Sequence, residues 1–160
     1  MSLLGIDVGT TGCKAAAFSC DGRCVAWAYR EYGTLRPRPD WAELDSREVW
    51  RAVREVIADV ANRTNSTDPI AALSVSSLGE AFVPVSRDRE ILGNSILCSD
   101  ARGAEYAEAL VDHVGAENLY RINPNIPGPQ YSLPKMMWLR DHEPDLFRKA
   151  DHFLLWADAV

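Results

Sequence analysis

The sequence predicts an α/β fold in which a mixed sheet opens with a three-stranded antiparallel meander and is flanked by helices. Short apolar runs fill the first 32 residues, and the strong hairpin dipeptide Asp21-Gly22 stands between the second and third of them. A helical apolar period begins near residue 46, and a further apolar run follows from residue 70. This order indicates a helical crossover, so the fourth strand should lie parallel to the first.

The predicted meander comprises strands at residues 3–8, 12–19 and 24–32. Alanines 15–17 have helical propensity, but the flanking turns leave too few residues for a stable helix, so a strand is expected. After an irregular crossover at 33–44, Asp45 is expected to cap the first helix, with Glu48 completing a capping box. The following strand is predicted at 70–76, in parallel with the first.

The second half of the chain alternates short apolar segments with proline-bearing ones. Its predicted elements are paired strands at 81–86 and 91–97, a helix at 101–114, a loop at 121–130, a helix at 133–142, a short helix from Pro144 and a last apolar segment at 153–156. A loop of this kind between rigid elements is more often a binding element than a spacer. No cap or polar tail follows the last segment, so the chain is expected to be truncated.

Composition excludes several classes of function. The formal net charge is −6 and the pI is about 5.0, and without a basic block a nucleic-acid or anionic-membrane partner is not expected. A membrane span needs about 20 consecutive apolar residues, and the sequence has no such run. The four cysteines lack zinc-site spacing and are expected to be free thiols in a reducing cytoplasm, which makes the expected localisation cytoplasmic.

The turn after the first strand has the composition of a phosphate seat. Residues 7–14 are Asp-Val-Gly-Thr-Thr-Gly-Cys-Lys, and consecutive N–H groups with the hydroxyls of Thr10 and Thr11 would face phosphate oxygens. Lys14 adds positive charge, and Asp7 at the strand end is well placed to hold Mg²⁺ through water. A plain hairpin in which Asp7 caps its own turn explains these eight residues about equally well.

Five segments in chain order resemble the FGGY family of carbohydrate kinases. The Asp7-to-Lys14 turn resembles the first phosphate motif of the sugar kinase, actin and chaperone ATPase superfamily. The segments similar to motifs of the family itself are Trp-Ala-Glu-Leu-Asp at 41–45, Ser-Val-Ser-Ser-Leu-Gly-Glu at 74–80, Ser-Ile-Leu-Cys-Ser-Asp-Ala-Arg at 95–102, and Ser-Leu-Pro-Lys-Met-Met-Trp-Leu at 132–139 with His-Glu-Pro at 142–144. Together they extend over the whole chain.

The resemblance implies a ribonuclease H-like lobe and ATP-dependent transfer of phosphate to a hydroxyl of a sugar or polyol, such as a ketopentose, glycerol or gluconate, with Mg²⁺. It implies that residues 1–160 are a partial N-terminal domain. The rest of the first lobe, the adenosine-binding second lobe and the aspartate that takes the sugar proton would then lie beyond residue 160. No catalytic base is therefore assigned, and the isolated chain is expected to be inactive.

The resemblance also implies roles for individual residues. For ATP and its metal ion, Asp7 would hold Mg²⁺, and Thr10, Thr11 and Lys14 would contact the transferred phosphates. The residues for the sugar or polyol are Gly79, Glu80, Asp100, Arg102, Gln130 and Tyr131. Glu80 would accept hydrogen bonds from two adjacent hydroxyls. Asp100 and Arg102 either line the cleft or pair with each other to brace it. For Tyr131, packing in the core is as good an interpretation as contact with the sugar. Lys135 and Trp138 are expected to be structural.

Departures from the family pattern leave the substrate open. Many members have Gln where Leu78 stands, an aromatic residue, Met or Arg where Gly79 stands, and Trp where Cys98 stands.

The alternatives to a kinase are a non-catalytic carbohydrate-binding module, a degenerate kinase fragment and an unstable truncation product. A chaperone-like or actin-like ATPase is disfavoured by the segments at 41–43 and 135–138. The oligomeric state is open, with a homodimer of the full-length parent among the alternatives.

Overall fold

A computed structural model describes all 160 residues. The elements are β1 (Ser2–Val8), β2 (Gly12–Ser19), β3 (Cys24–Glu31), β4 (Thr34–Leu35), β5 (Glu43–Leu44), α1 (Ser46–Thr64), β6 (Ile70–Ser77), β7 (Phe82–Val85), β8 (Ser95–Ile96), α2 (Ala104–Val114), α3 (Ala116–Ile122), α4 (Ser132–His142), α5 (Pro144–Lys149), β9 (His152–Leu155) and α6 (Trp156–Ala159). None of the helices combines the length and the apolar character that crossing a membrane requires.

The main sheet confirms the predicted mixed topology. Its order is β3-β2-β1-β6, with antiparallel pairs between β1, β2 and β3 and a parallel pair between β1 and β6. Alternate β1 residues, including Ile6 and Val8, are buried, as expected of strands with one covered face. Helix α1 packs on β2 and β3 through an apolar stripe that includes Val53 and Val56. The opposite face leaves apolar side chains such as Trp27 exposed.

The hairpin between β2 and β3 is confirmed, but its turn is not the one expected. Ser19 N–H donates to Arg23 O at 2.9 Å, and Gly22 N–H donates to Ser19 O at 2.8 Å. Only Gly22 has a positive φ, of 87°, so the expectation of positive φ at both Asp21 and Gly22 is wrong. Residues 20–23 lie outside the strands, and this longer connection removes the constraint that a two-residue turn imposes.

The start of α1 confirms one half of the predicted capping box. One carboxylate oxygen of Asp45 accepts from the N–H groups of Arg47 at 2.9 Å and Glu48 at 3.2 Å. The reciprocal bond, from Asp45 N–H to the Glu48 carboxylate, is absent, and that carboxylate lies 3.6 Å from Arg51 instead. Asp45 therefore caps the helix alone, and Arg51 forms ion pairs with Glu48 and Glu55 on the exposed face of α1.

The predicted pairing of strands at 81–86 and 91–97 is wrong. β7 pairs with β9 and β8 pairs with β5, and only an isolated bridge from Val85 to Ile91 joins the two segments. The buried hydroxyl of Ser95, in β8, lies 2.9 Å from Ser46 Oγ and 3.1 Å from Trp156 Nε1. These bonds fix β8 against the first residue of α1 and against Trp156, while its backbone pairs with β5.

Two helices differ from their predicted bounds. The helix predicted at 101–114 begins at Ala104, because Gly103 takes a φ of 87° and the N–H of Arg102 is held by Asp100 Oδ1 at 2.9 Å. Helix α3 was not predicted and starts after Gly115, which has a φ of 85°, so the following loop begins at residue 123 rather than 121. Helices α4 and α5 begin within a residue of their predicted starts.

Candidate functional site

Two turns meet at one edge of the main sheet. β1 and β6 run parallel, so both end at the same edge, and the N–H of Leu78 donates to Val8 O at 2.8 Å. This bond joins the turn at residues 9–11, after β1, to the turn that contains Gly79 and Glu80, after β6. In open α/β sheets, ligands bind outside the carboxyl ends of such strands.

The turn after β1 is tight and leaves its donors free. Gly9 N–H donates to Gly12 O at 2.9 Å and closes the turn, while the N–H groups of Thr10 and Thr11 have no partner within the protein. A Cβ on Gly12, the first residue of β2, would lie 2.6 Å from the backbone carbonyl oxygen of Arg30, so there is no room for a side chain there. The free N–H groups and hydroxyls are the donors that a phosphate group needs.

Asp7 and Lys14 face each other across β1 and β2 on the exposed side of the sheet. They form no ion pair within 4.0 Å, and Asp7 accepts no hydrogen bond from its own turn. The arrangement in which Asp7 caps that turn is therefore not present. No cluster of three His, Cys, Asp or Glu side chains exists in the chain. A single carboxylate can hold an Mg²⁺ ion that keeps most of its water ligands and also contacts phosphate oxygens. It does not form a site in which the protein supplies every ligand.

Tyr32 supports the turn at residues 9–11, the predicted phosphate turn, and was missed by the sequence reasoning. Its hydroxyl donates to Gly9 O at 2.7 Å, and its N–H donates to Thr11 O at 3.2 Å. Burial of the ring raises the pKa of the Tyr32 hydroxyl, so it remains a donor. Since Gly9 lies 23 residues away in sequence, no local pattern reveals this contact.

The backbone of Glu80 has a positive φ, and its carboxylate is bound by Ser132. Its φ is 64°, a region that non-glycine residues seldom occupy. One carboxylate oxygen, Oε2, accepts from Ser132 N–H at 2.8 Å and from Ser132 Oγ at 2.6 Å, while Oε1 has no partner in the chain. Glu80 lines a cavity of about 450 Å³ together with Tyr131 and Ser132. Hydrogen bonding of Glu80 to two hydroxyls stays a prediction, with Oε1 as the free acceptor.

Asp100 and Arg102 form a buried pair. Arg102 Nε and Nη2 donate to the two Asp100 oxygens at 2.9 and 2.7 Å, and Nη2 also lies 2.7 Å from Glu43 Oε1. The guanidinium carbon lies 3.8 Å from the centre of the Trp41 ring. Burial acts to raise the pKa of Asp100, but bonds from Arg102 and from Ala42 N–H outweigh it and hold that pKa below its usual value. This geometry favours the bracing role.

The remaining sugar-site candidates lie near Glu80 but differ in orientation. Gln130 is exposed, and its side-chain amide donates to Ile126 O at 3.3 Å, folded over its own loop. Tyr131 is half-buried and lines the same cavity as Glu80. Gly79 is exposed, and a Cβ there would meet nothing within 4 Å. The structure thus groups Gly79, Glu80 and Tyr131, and turns Gln130 onto its loop.

A cavity larger than the one beside Glu80 lies elsewhere in the chain. It has about 640 Å³, is lined by residues that include Trp50, Arg87, His152 and Trp156, and contains none of the predicted site residues. The candidate site is therefore defined by the chemistry at the strand ends rather than by cavity size.

The mixed sheet, its crossover helix and the two turns at one edge define the ribonuclease H-like lobe found in sugar kinases. The sequence profile of the FGGY family of carbohydrate kinases, N-terminal domain, matches residues 2–160. The chain belongs to this family.

Individual relatives agree with this assignment. The chain is 28% identical to a xylulose kinase of Bacillus subtilis over 159 residues, which are 99% of this chain and 32% of that protein. It is 30% identical to a glycerol kinase of Burkholderia vietnamiensis over 168 aligned residues, covering 96% and 33% of the two chains. A crystal structure of xylulose kinase from Rhodospirillum rubrum superimposes with a TM-score of 0.92 at 26% identity, over 99% of this chain and 33% of that one. The chain thus spans about a third of the length of these relatives.

Proposed function

We propose that this chain is the N-terminal part of a kinase that transfers the terminal phosphate of ATP to a hydroxyl of a sugar or polyol. Residues 1–160 would form part of its first lobe and would be inactive alone. Membership of the FGGY family supports the reaction class. Relatives named as xylulose, glycerol and gluconate kinases support an acceptor that is a ketopentose, a polyol or a sugar acid.

The observation that carries the proposal is the junction of the two turns at the edge of the sheet. The bond from Leu78 N–H to Val8 O, at 2.8 Å, brings the free donors of Thr10 and Thr11 beside Gly79 and Glu80. A phosphate group bound at the first turn and a hydroxyl bound at the second would be neighbours. Phosphoryl transfer depends mostly on such positioning and on neutralising charge.

Each residue then has a definite task. Thr10 and Thr11 donate N–H and hydroxyl hydrogen bonds to the phosphate oxygens, and Lys14 neutralises charge on the group being transferred. Mg²⁺, held near Asp7 through its water ligands, would neutralise further phosphate charge. Glu80 Oε1 accepts a hydrogen bond from the sugar or polyol and orients it. No residue of this chain is assigned to remove the hydroxyl proton.

The test is a kinase assay on the intact gene product with MgATP and a panel of xylulose, glycerol and gluconate. We expect transfer to at least one acceptor, and a Lys14→Gln variant that loses about 100-fold in kcat/KM, the usual effect of removing one transition-state donor. Lys149→Gln, at an exposed lysine in the last turn of α5, is the matched control and should behave as the unmodified protein.

Absence of transfer to every acceptor, with folding verified, would overturn the kinase proposal. Calorimetric titration then separates the alternatives, because sugar binding that is indifferent to nucleotide indicates a non-catalytic carbohydrate-binding module. The 160-residue chain is assayed in parallel, and turnover by that chain would refute the assignment of the proton acceptor to a later segment.

A further inference from the structure

The first turn of α4, residues 132–135, contacts each of the three segments that carry proposed sugar-site residues. The first contact joins Ser132 to Glu80, which are 52 residues apart in sequence. The N–H groups in the first turn of a helix lack partners within it, and the helix dipole favours a negative charge there. Tyr131, at the N-cap, provides no side-chain cap. Glu80 therefore caps α4 from a distant segment, and its carboxylate is fixed by doing so.

The second contact joins the same turn to the segment that contains Asp100 and Arg102. Gly103 ends that segment with a φ of 87°, and a Cβ on it would lie 2.7 Å from the carbonyl carbon and oxygen of Pro134. Backbone therefore packs directly on backbone at this point. The Asp100–Arg102 pair, next to this contact, is held in a fixed position relative to α4.

The third contact joins the turn to the loop that precedes it. Lys135 is completely buried, and its ammonium group donates to the carbonyl of Pro129, directly before Gln130. Burial lowers the pKa of Lys135. Removing a lysine from water is unfavourable unless the charge finds polar partners, so this position indicates that Lys135 holds the loop rather than contacting solvent.

We propose that the first turn of α4 is the positioning element of the sugar site, with Ser132 and Lys135 as its positioning residues. Ser132 directs the Glu80 carboxylate so that Oε2 is engaged and Oε1 remains for the substrate. Lys135 fixes the Pro129 carbonyl and hence the course of residues 130–131. A single oriented oxygen suits a neutral hydroxyl donor such as that of a polyol. This inference rests on the proposed function.

The test compares Ser132→Ala, Ser132→Thr and Lys135→Met in the intact gene product, with the best acceptor of the panel above. We expect Ser132→Ala and Lys135→Met to raise the KM of the acceptor about tenfold, as for loss of a hydrogen bond to a charged group, while the KM of MgATP stays unchanged. Ser132→Thr keeps the hydroxyl and should restore the acceptor KM. The matched controls are Ser66→Ala and Lys149→Met, at exposed residues outside the site.

A second measurement tests the inference without an activity readout. Amide hydrogen exchange on the intact gene product should become faster at residue 132 in Ser132→Ala and at residue 131 in Lys135→Met, with no change in the controls. Equal changes in both KM values, or none, would overturn the positioning role. If the unmodified protein phosphorylates no acceptor, the kinase proposal fails, and unchanged exchange at residues 131 and 132 is then the result that overturns this inference.

Discussion

Replacing Asp100 by alanine should destabilise the chain by about 3 kcal/mol. The buried carboxylate of Asp100 accepts bonds from the N–H groups of Ala42 at 2.6 Å and Arg102 at 2.9 Å, and two more from the Arg102 guanidinium. Removing one partner of a buried ion pair costs about 3–5 kcal/mol, because the other charge is left uncompensated. Arg102 retains Glu43 at 2.7 Å and the face of Trp41, so the lower end of that range applies.

The assay is urea unfolding of the 160-residue chain followed by circular dichroism. With a slope of about 2 kcal/mol per molar urea, a loss of about 3 kcal/mol moves the midpoint down by about 1.5 M. Asp145→Ala, which removes an exposed pair with Arg148, is the control and should leave the midpoint unchanged. A loss below about 1 kcal/mol for Asp100→Ala would refute the argument that the buried pair braces this region.

The difference in stability between the unmodified chain and Asp100→Ala should also depend on pH. Because the folded pKa of Asp100 lies below its unfolded value of about 3.9, the ionised carboxylate stabilises the fold above that pH. This contribution is lost as the pH falls from about 4 through the lower folded pKa. The stability difference between the unmodified chain and Asp100→Ala should therefore shrink below about pH 4, and a difference that grows in acid would contradict the assigned direction.

Two further predictions concern the phosphate turn. Tyr32→Phe removes the donor to Gly9 O, so we expect the free energy of unfolding in urea to fall by about 1 kcal/mol. The KM for MgATP should rise while the acceptor KM stays unchanged. An effect on the acceptor KM alone would contradict this role. Gly12→Ala places a Cβ 2.6 Å from the carbonyl oxygen of Arg30, so we expect a loss of about 1–3 kcal/mol in the same unfolding assay, and a neutral result would show that the strand shifts freely.

Local patterns in the sequence were enough for part of the fold and of the site. The strands of the meander, the Asp45 cap and the parallel return of β6 follow from periodicity and capping chemistry within short windows. The pairing of β7 with β9 was missed because it joins segments far apart in sequence, with Phe82 opposite Leu155 and Val85 opposite His152. The Ser132 and Tyr32 contacts were missed for the same reason.

The two halves of the candidate site differ in how they are built, and this difference has a consequence for mutation. The phosphate turn is contained in one hairpin, and apart from Tyr32 its donors are set by residues 9–12 themselves. The proposed sugar side joins three segments through the first turn of α4, so its geometry depends on the buried Asp100–Arg102 pair and on Lys135. Mild destabilisation of that packing should therefore impair acceptor binding before nucleotide binding, because the acceptor side requires three separate segments to stay in register, whereas the nucleotide side depends on one hairpin and Tyr32.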